Sequence, residues 1–327
     1  MNIRKYILRI TLLAVVTLAL GGCNNDDLDP NSIFDTEDTE LDPTSASYKF
    51  DKWLLTNFQG VYNLQFRYKM QDVGADMDYN LVPATYDRSI DLAVLTKYLW
   101  FDAYATAVNP DFLKYYGPRI IHLIGSPAYN PANHTMILGL AEGGLKVSLF
   151  RVNSIDPSDF VMLNEFYFKT MHHEFAHILH QTKTYPKEFD QISSKYYEPF
   201  NWQDRDYRVV ASLGFTSPYA SSQAREDYAE TIANFITMTQ EQWNMLLDMA
   251  SKGWTPILDP DGKQSYVEGP DLDGVDGKAT ILQKVSIARQ WFRDAWSIDL
   301  DKLRAEVQTR QKNFDIKALR EEVNQVK

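Results

Sequence analysis

The sequence H-E-x-x-H, from His173 to His177, lies in an apolar segment with helical spacing and constrains this chain more than any other feature. On a helix, which turns by about 100° per residue, positions 173 and 177 lie one turn apart on the same face, so both imidazoles can reach one tetrahedral metal ion. Glu174 falls at the edge of that face, where its carboxylate can act as a general base without binding the metal. The pattern therefore predicts a helix that carries a catalytic zinc site.

The opposite face of this predicted helix is apolar. It is formed by Phe168, Met171, Phe175, Ile178 and Leu179. Pro186 limits the helix downstream. The segment thus has one face for the hydrophobic core and one face for chemistry, which is the context that the motif needs.

The third metal ligand is expected in the segment that begins with Glu226 and ends with Glu230, E-D-Y-A-E, because a catalytic zinc site usually has three protein ligands. This segment opens a second predicted helix, residues 226–239. The two glutamates are four residues apart, so one carboxylate can bind metal while the other accepts the ring N–H of a ligating histidine. The alternative is an acidic helix start that faces solvent and is stabilised by the helix dipole.

Together, the two motifs resemble the gluzincin metallopeptidases, which combine H-E-x-x-H on one helix with a glutamate ligand on the next. In that group, notably in the anthrax lethal factor type, the second motif reads E-x-x-A-E and a tyrosine lies seven residues before the ligand glutamate. Tyr219 has this offset from Glu226. The resemblance implies that Glu226 is the third ligand, that Glu230 is the acceptor behind a ligating histidine, and that Tyr219 donates a hydrogen bond to the oxyanion.

With His180, the first motif extends to H-E-x-x-H-x-x-H. The chain also begins with an apolar run at residues 10–20 and the sequence L-G-G-C that ends at Cys23, which is typical of a lipoprotein signal. This combination is similar to the zinc-binding metallopeptidase lipoproteins of Bacteroidetes, described as substrate import-associated zinc metallohydrolases and linked to outer-membrane uptake of the SusC/SusD kind. Roughly residues 110–240 carry the likeness. It implies Zn²⁺ as cofactor, a peptide or protein substrate, and TonB-dependent transporter or SusD-like partners.

His180 also lies on the predicted metal face, but a rise of about 1.5 Å per residue places it roughly 10 Å along the axis from His173. It cannot readily share one ion with both other histidines. We interpret it either as a group that supports the ligands or faces the substrate, or as a hydrogen-bonded core histidine. His172, His122 and His134 are interpreted as structural.

The N-terminus predicts a lipoprotein signal peptide over residues 1–22. Three basic residues precede an apolar run at residues 10–20, and the sequence L-G-G-C ends at Cys23, where cleavage and lipidation are expected. The run is too short to span a bilayer comfortably, which disfavours a retained transmembrane anchor. Because Cys23 is the only cysteine, the sequence predicts neither disulfides nor a cysteine metal site.

Removal of residues 1–22 takes away three positive charges and no negative charge, which changes the formal net charge from −11 to −14. Such acidity disfavours nucleic acid as a partner. Residues 23–47 are rich in Asp, Glu, Asn, Ser, Thr and Pro and are predicted to form a flexible tether. An acidic stretch directly behind Cys23 resembles the signal that sends Bacteroidetes lipoproteins to the cell surface. We therefore expect an outer-membrane lipoprotein exposed at the surface.

Residues 48–327 have the composition of a globular domain, and their patterns predict an α+β fold. The predicted elements are a helix at residues 87–108, a strand at 119–125, a hairpin formed by 135–140 and 145–152, and helices at 280–295 and 300–323. The gluzincin resemblance implies a zincin core with a small sheet whose edge strand lies over the active-site helix. On this interpretation the sheet-bearing part extends to about residue 185, and a helical part with the C-terminal helices follows at 186–327.

Two acidic segments, residues 259–262 and 271–277, do not have the spacing of an EF-hand loop and are predicted to be surface turns. They therefore add no calcium site to the prediction.

Two function classes are consistent with these features. The first is a surface-anchored zinc hydrolase, most simply a metallopeptidase that acts with an uptake system. The second is a non-catalytic component of a SusC/SusD-like complex that uses a metal site to bind its substrate. Glu174 favours the enzyme, because a purely structural metal site does not need a carboxylate at that position.

Overall fold

The structure is a computed structural model that describes residues 41–70, 80–130, 136–137, 139–142, 145–271 and 273–327. The signal peptide, Cys23, most of the tether at residues 23–47, His134 and the expected hairpin turn at 143–144 lie outside the described residues. One compact unit comprises residues 45–327. The other, residues 1–44, falls almost entirely outside the described part.

The main sheet has four strands, three parallel and one antiparallel at an edge. In chain order the strands of the protein are β1 (Gln65–Arg67), β2 (Ile120–Leu123), β3 (Ala128–Tyr129), β4 (Met136–Ile137), β5 (Gly139–Glu142), β6 (Lys146–Leu149), β7 (Gly253–Leu258) and β8 (Gln264–Gly269). The main sheet has the order β1-β2-β6-β5, in which β1, β2 and β6 are parallel and β5 is antiparallel to β6. The pairs β3-β4 and β7-β8 form separate antiparallel ribbons.

Helices make up most of the rest of the described chain. They are α1 (Tyr48–Leu54), α2 (Gly60–Tyr62), α3 (Tyr86–Thr96), α4 (Asp102–Ala107), α5 (Phe112–Tyr116), α6 (Phe160–Leu163), α7 (Lys169–Thr182), α8 (Glu188–Ile192), α9 (Tyr207–Ser212), α10 (Ala224–Thr237), α11 (Gln240–Ala250), α12 (Gly277–Trp296), α13 (Leu300–Asn313) and α14 (Ile316–Asn324). Within the described residues, no helix is both long enough and apolar enough to span a membrane.

Several predicted elements are confirmed. The helix expected at residues 87–108 is α3 and α4 joined by a wider π-helical segment, Lys97–Phe101. The predicted strand at 119–125 is β2. The predicted hairpin is confirmed in part, because β5 pairs with β6, whereas residues 136–137 of its predicted first strand form β4 and pair with β3. The mixed helices and small sheets agree with the predicted α+β class.

Two expectations were wrong in detail. The single helix predicted at residues 300–323 is broken, because Phe314 is extended and Asp315 starts α14 by accepting hydrogen bonds from the backbone N–H groups of Lys317 and Ala318. The second half of the domain also contains the hairpin β7-β8. This ribbon was missed because β7 contains Pro256 and is largely exposed, so it lacks the alternating pattern of a half-buried strand.

The edge strand β5 lies directly against the helix that carries the H-E-x-x-H sequence. At Gly139 an added Cβ would come within 2.3 Å of Thr170 Cγ2 on α7, so a glycine is required for this close approach. On its other side α7 buries Met171, Phe175 and Leu179 in the main hydrophobic core. The helix is thereby fixed between the core and the edge of the sheet, which holds its polar face in one orientation.

Candidate metal centre

Three predicted metal ligands converge on one point. His173 and His177 extend from α7, and Glu226 extends from the first turn of α10. The Nε2 atoms of the two histidines are 3.1 Å apart, and Glu226 Oε2 lies 3.1 Å from His173 Nε2 and 3.2 Å from His177 Nε2. These residues form the one group of three His, Cys, Asp or Glu side chains with metal-binding spacing among the described residues.

The donor set fits a zinc ion. A tetrahedral zinc with ligand bonds of about 2.0–2.1 Å separates its ligand atoms by roughly 3.3 Å, close to the distances observed here. Two imidazole nitrogens and one carboxylate oxygen also form a common ligand set of catalytic zinc sites, which leave a fourth position for water or substrate. The arrangement therefore has both the chemistry and the spacing that this ion requires.

Glu230 supports the centre from behind His173. It lies one turn after Glu226 on α10, is buried, and accepts a hydrogen bond of 3.0 Å from His173 Nδ1. Its second oxygen receives Ser217 Oγ at 2.5 Å and Lys169 Nζ at 3.2 Å. Because Nδ1 donates to Glu230, Nε2 is the His173 nitrogen that faces the other two ligand atoms and would bind a metal ion.

Electrostatics at the centre favour a cation. Burial alone would raise the pKa of Glu226, but hydrogen bonds from His173 and His177 hold it well below the usual range. Burial would likewise raise the pKa of Glu230, yet the Lys169 charge and the His173 hydrogen bond lower it. Burial would lower the pKa of His173, whereas its contacts with both carboxylates raise it to about 10. Ionised Glu226 thus lies beside the two histidine Nε2 atoms and ionised Glu230 lies behind His173, so positive charge at the centre is stabilised.

Glu174 lies beside the ligand group without belonging to it. Together with His177 and Glu226 it lines a cavity of about 470 Å³, whose other walls include Gln181 and Arg225. Burial raises the pKa of the Glu174 carboxyl. A carboxylate with a raised pKa, next to a metal site and open to a cavity, is suited to general-base catalysis.

The Tyr219 ring lies beside the ring of His173. Its ring centroid lies 5.8 Å from that of His173 and 4.8 Å from that of Trp202. Burial and the neighbouring Glu226 raise the pKa of the Tyr219 phenol, so it stays protonated at neutral pH and can donate a hydrogen bond. The structure therefore brings Tyr219 to the centre from a short turn, Tyr219–Ser221, ahead of α10.

The other histidines among the described residues, His122, His172 and His180, lie outside the ligand group. His180 accepts a hydrogen bond from the backbone N–H of Tyr185 at 3.5 Å, and the two rings pack 4.6 Å apart. His172 is buried in the core, where its Nδ1 lies 3.2 Å from Tyr104 Oη and burial lowers its pKa to about 3. His122 is buried on β2.

A buried ion pair next to Glu226 was missed in the sequence. Lys284 Nζ lies 2.6 Å from Asp227 Oδ2, and both side chains are fully buried. Tyr197 also donates to Asp227, and Lys284 donates to the carbonyl of Gly214. The pair connects the first turn of α10 to α12. One feature of the sequence, a lysine on the apolar face of a helix, could have revealed it. Lys284 stands on the buried stripe of α12, between Ile281, Val285 and Ala288.

Comparison with known proteins places the chain in a family. A family model described as "putative zinc-binding metallo-peptidase" matches residues 43–301, which is most of the chain. The chain belongs to this family. The finding confirms the resemblance inferred from the motifs, and it supports zinc as the metal that the His173, His177 and Glu226 group would hold.

One solved relative has a similar fold. The crystal structure of a "putative zinc-binding metallo-peptidase" from Bacteroides caccae is 38% identical in sequence and has a TM-score of 0.66. The match covers 87% of this chain and 98% of that chain. A search of curated proteins finds no significant match. The family relationship therefore extends through nearly the whole length of the solved relative.

Proposed function

We propose that this member of the family is a zinc-dependent peptidase. Its zinc ligands are His173, His177 and Glu226, its general base is Glu174, and its oxyanion donor is Tyr219. The observation that carries the proposal is the convergence of the three ligand atoms within 3.2 Å of one another. Glu174 in the adjoining cavity distinguishes this arrangement from a structural metal site.

Each of these side chains has a defined task in peptide hydrolysis. When bound, zinc supplies a Lewis acid that polarises a carbonyl and makes water more acidic. The Glu174 carboxylate accepts a proton from the attacking water and passes it to the leaving amine. The Tyr219 phenol donates a hydrogen bond to the oxygen on which negative charge develops. Glu230 fixes the ring orientation of His173 throughout.

We further propose a gluzincin-like core in which β5 borders the substrate cleft. This strand is the antiparallel edge of the main sheet and lies against α7 at Gly139 and Thr170. Within the described residues, β5 pairs on one side only, with β6. An extended peptide can add to such an edge through main-chain hydrogen bonds, which would hold the scissile bond beside α7.

We also propose that the protein acts at the cell surface. A lipid on Cys23 anchors the chain in the outer membrane, where the acidic tether holds the domain at the cell surface beside an uptake system. The support is the sequence L-G-G-C that ends at Cys23, together with the acidic composition of residues 23–47. Replacing Cys23→Ser should abolish labelling by a fatty-acid analogue and release the protein from membranes. Retained labelling of Cys23→Ser would contradict anchoring through Cys23. Resistance of the wild type to protease added to intact cells would contradict surface exposure.

Zinc stoichiometry tests the ligand set. We expect about one zinc per chain in the wild type and less than a tenth of that in Glu226→Ala, because two histidines alone hold the ion weakly. Glu230→Gln should keep the ion but bind it about 10–100-fold more weakly, since only the support of His173 is altered. Elemental analysis and chelator competition measure the two quantities.

Asp190→Asn is the matched control for these variants, because it removes a carboxylate from the same cavity without touching the ligand group. A wild type that takes up no zinc after reconstitution would exclude the zinc hydrolase. Zinc binding without cleavage of any peptide in a broad library would instead favour the metal-containing binding component of an uptake complex.

Tyr219→Phe tests the oxyanion role. The variant removes only the hydroxyl, so we expect kcat to fall about 100-fold with little change in KM and an unchanged zinc content. Steady-state kinetics on a quenched-fluorescent peptide cleaved by the wild type give both constants. Tyr207→Phe controls for loss of a phenol nearby, because Tyr207 donates to the Thr216 carbonyl rather than facing the centre. Equal rates for Tyr219→Phe and wild type would remove Tyr219 from the mechanism.

A further inference from the structure

One buried hydroxyl connects the turn that carries Tyr219 to the carboxylate that supports His173. Ser217 Oγ donates to Glu230 Oε2 at 2.5 Å and accepts the backbone N–H of Ala220 at 3.1 Å. Ser217 and Glu230 are both buried, with 6% and 2% of their surfaces exposed. Since Ala220 directly follows Tyr219, the same oxygen contacts both halves of the candidate site.

The other hydrogen bonds of Glu230 and of the turn backbone have separate partners. Glu230 is also bound by His173, Lys169 and Asn234. The turn is closed by its own backbone, by Ser221 Oγ donating to the Pro218 carbonyl, and by Glu198 N–H donating to the Ser221 carbonyl. Among the hydrogen bonds of the described residues, only those of Ser217 reach both Glu230 and the turn at 218–221.

The position of Tyr219 depends on this turn. Its side chain is 37% exposed and is flanked by the rings of Trp202 and His173. The ring contacts limit sideways movement, and a hydrogen bond to Glu226 restrains the hydroxyl end of the side chain, but neither fixes the backbone from which the side chain extends. The bond from Ala220 N–H to Ser217 restrains that backbone, and Glu230 sets where Ser217 Oγ lies.

We propose that Ser217 is a positioning residue that holds the Tyr219 phenol in register with the His173–Glu230 pair. The inference rests on the proposed peptidase function for its kinetic consequence, whereas the restraint itself belongs to the protein without metal or substrate. Ser217→Ala removes the link without altering the side chain of any ligand residue, of Glu174 or of Tyr219. A hydroxyl is required at this position, because the group must donate and accept at once.

The kinetic test is a double-mutant cycle on the full mature chain in detergent, with a quenched-fluorescent peptide that the wild type cleaves. Ser217→Ala should lower kcat about 10-fold, with KM within twofold of wild type and about one zinc per chain. In a Tyr219→Phe background the same substitution should cost less than twofold, because the group that it positions is already absent. Ser222→Ala is the matched control, since the hydroxyl of this buried serine in the same segment has no hydrogen-bond partner among the described residues.

A second readout needs neither turnover nor metal. With 3-fluorotyrosine placed at position 219, the metal-free wild type and Ser222→Ala should each give one narrow ¹⁹F resonance. Ser217→Ala should give a broadened or divided resonance, and Ser217→Thr should restore the single line by restoring the hydroxyl. If the wild type cleaves no peptide, the peptidase proposal fails while this spectrum still tests the positioning role.

Three kinetic or spectroscopic results would overturn the inference. They are a Ser217→Ala variant with the kcat of the wild type, an equal loss of kcat with and without the Tyr219 hydroxyl, and an unchanged ¹⁹F spectrum. Loss of zinc from Ser217→Ala would also overturn it, because the serine would then act on metal retention through Glu230 rather than on the position of Tyr219.

Discussion

Replacing Glu174→Gln is expected to lower kcat for peptide hydrolysis about 1000-fold while one zinc per chain is retained. Glutamine keeps the size of the side chain and removes the group that accepts a proton from water, a role that contributes about 10²–10⁴-fold. Glu174 is not among the three clustered ligand atoms, so metal binding should be unaffected. Steady-state kinetics and elemental analysis on the same preparation separate the two properties.

Glu188→Gln provides the matched control, because this exposed glutamate on α8 carries the same charge and lies outside the cavity beside the ligands. It should retain the activity of the wild type. Full activity in Glu174→Gln, on a peptide whose cleavage a chelator stops, would show that another group activates water. Loss of zinc from Glu174→Gln would mean that its carboxylate contributes to metal binding.

The ligand group could be predicted because each part of it follows from local helix geometry. His173 and His177 are four positions apart on one helix, and Glu226 and Glu230 are four positions apart on another. Local periodicity determines which face such pairs share, whatever the rest of the fold does. The meeting of the two helices could not be derived from spacing. It was expected from the three protein ligands that a catalytic zinc usually has and from the resemblance, and the structure shows it as distances of 3.0–3.2 Å between α7 and α10 side chains.

The groups that support the site depend on contacts between distant segments, and local patterns do not encode these. Ser217 and Lys169 both reach Glu230, but one comes from a turn before α10 and the other from the start of α7. His180 illustrates the same limit. Its position on the helix fits the metal face, yet the chain that turns back after α7 brings Tyr185 against its ring. Such partners become visible only when the tertiary structure is known.

The buried pair of Asp227 and Lys284 links the metal centre to the stability of the domain. Its members lie 57 positions apart in the chain and are fully removed from solvent. Lys284→Met is expected to lower the free energy of unfolding by about 3–5 kcal/mol, because it leaves the Asp227 carboxylate buried without its counter-charge. Urea unfolding followed by tryptophan fluorescence, on metal-free protein, measures the change.

Two further variants assign the cause of this loss. Lys278→Met on the exposed face of α12 removes the same charge and should change stability by less than about 0.5 kcal/mol. Adding Asp227→Asn to Lys284→Met should recover part of the stability, since the unpaired charge is then removed. No recovery in the double variant would show that Lys284 acts mainly through its bond to the Gly214 carbonyl. Because Asp227 directly follows Glu226, Lys284→Met should also weaken zinc binding, which would show that the ion pair holds the third ligand in place.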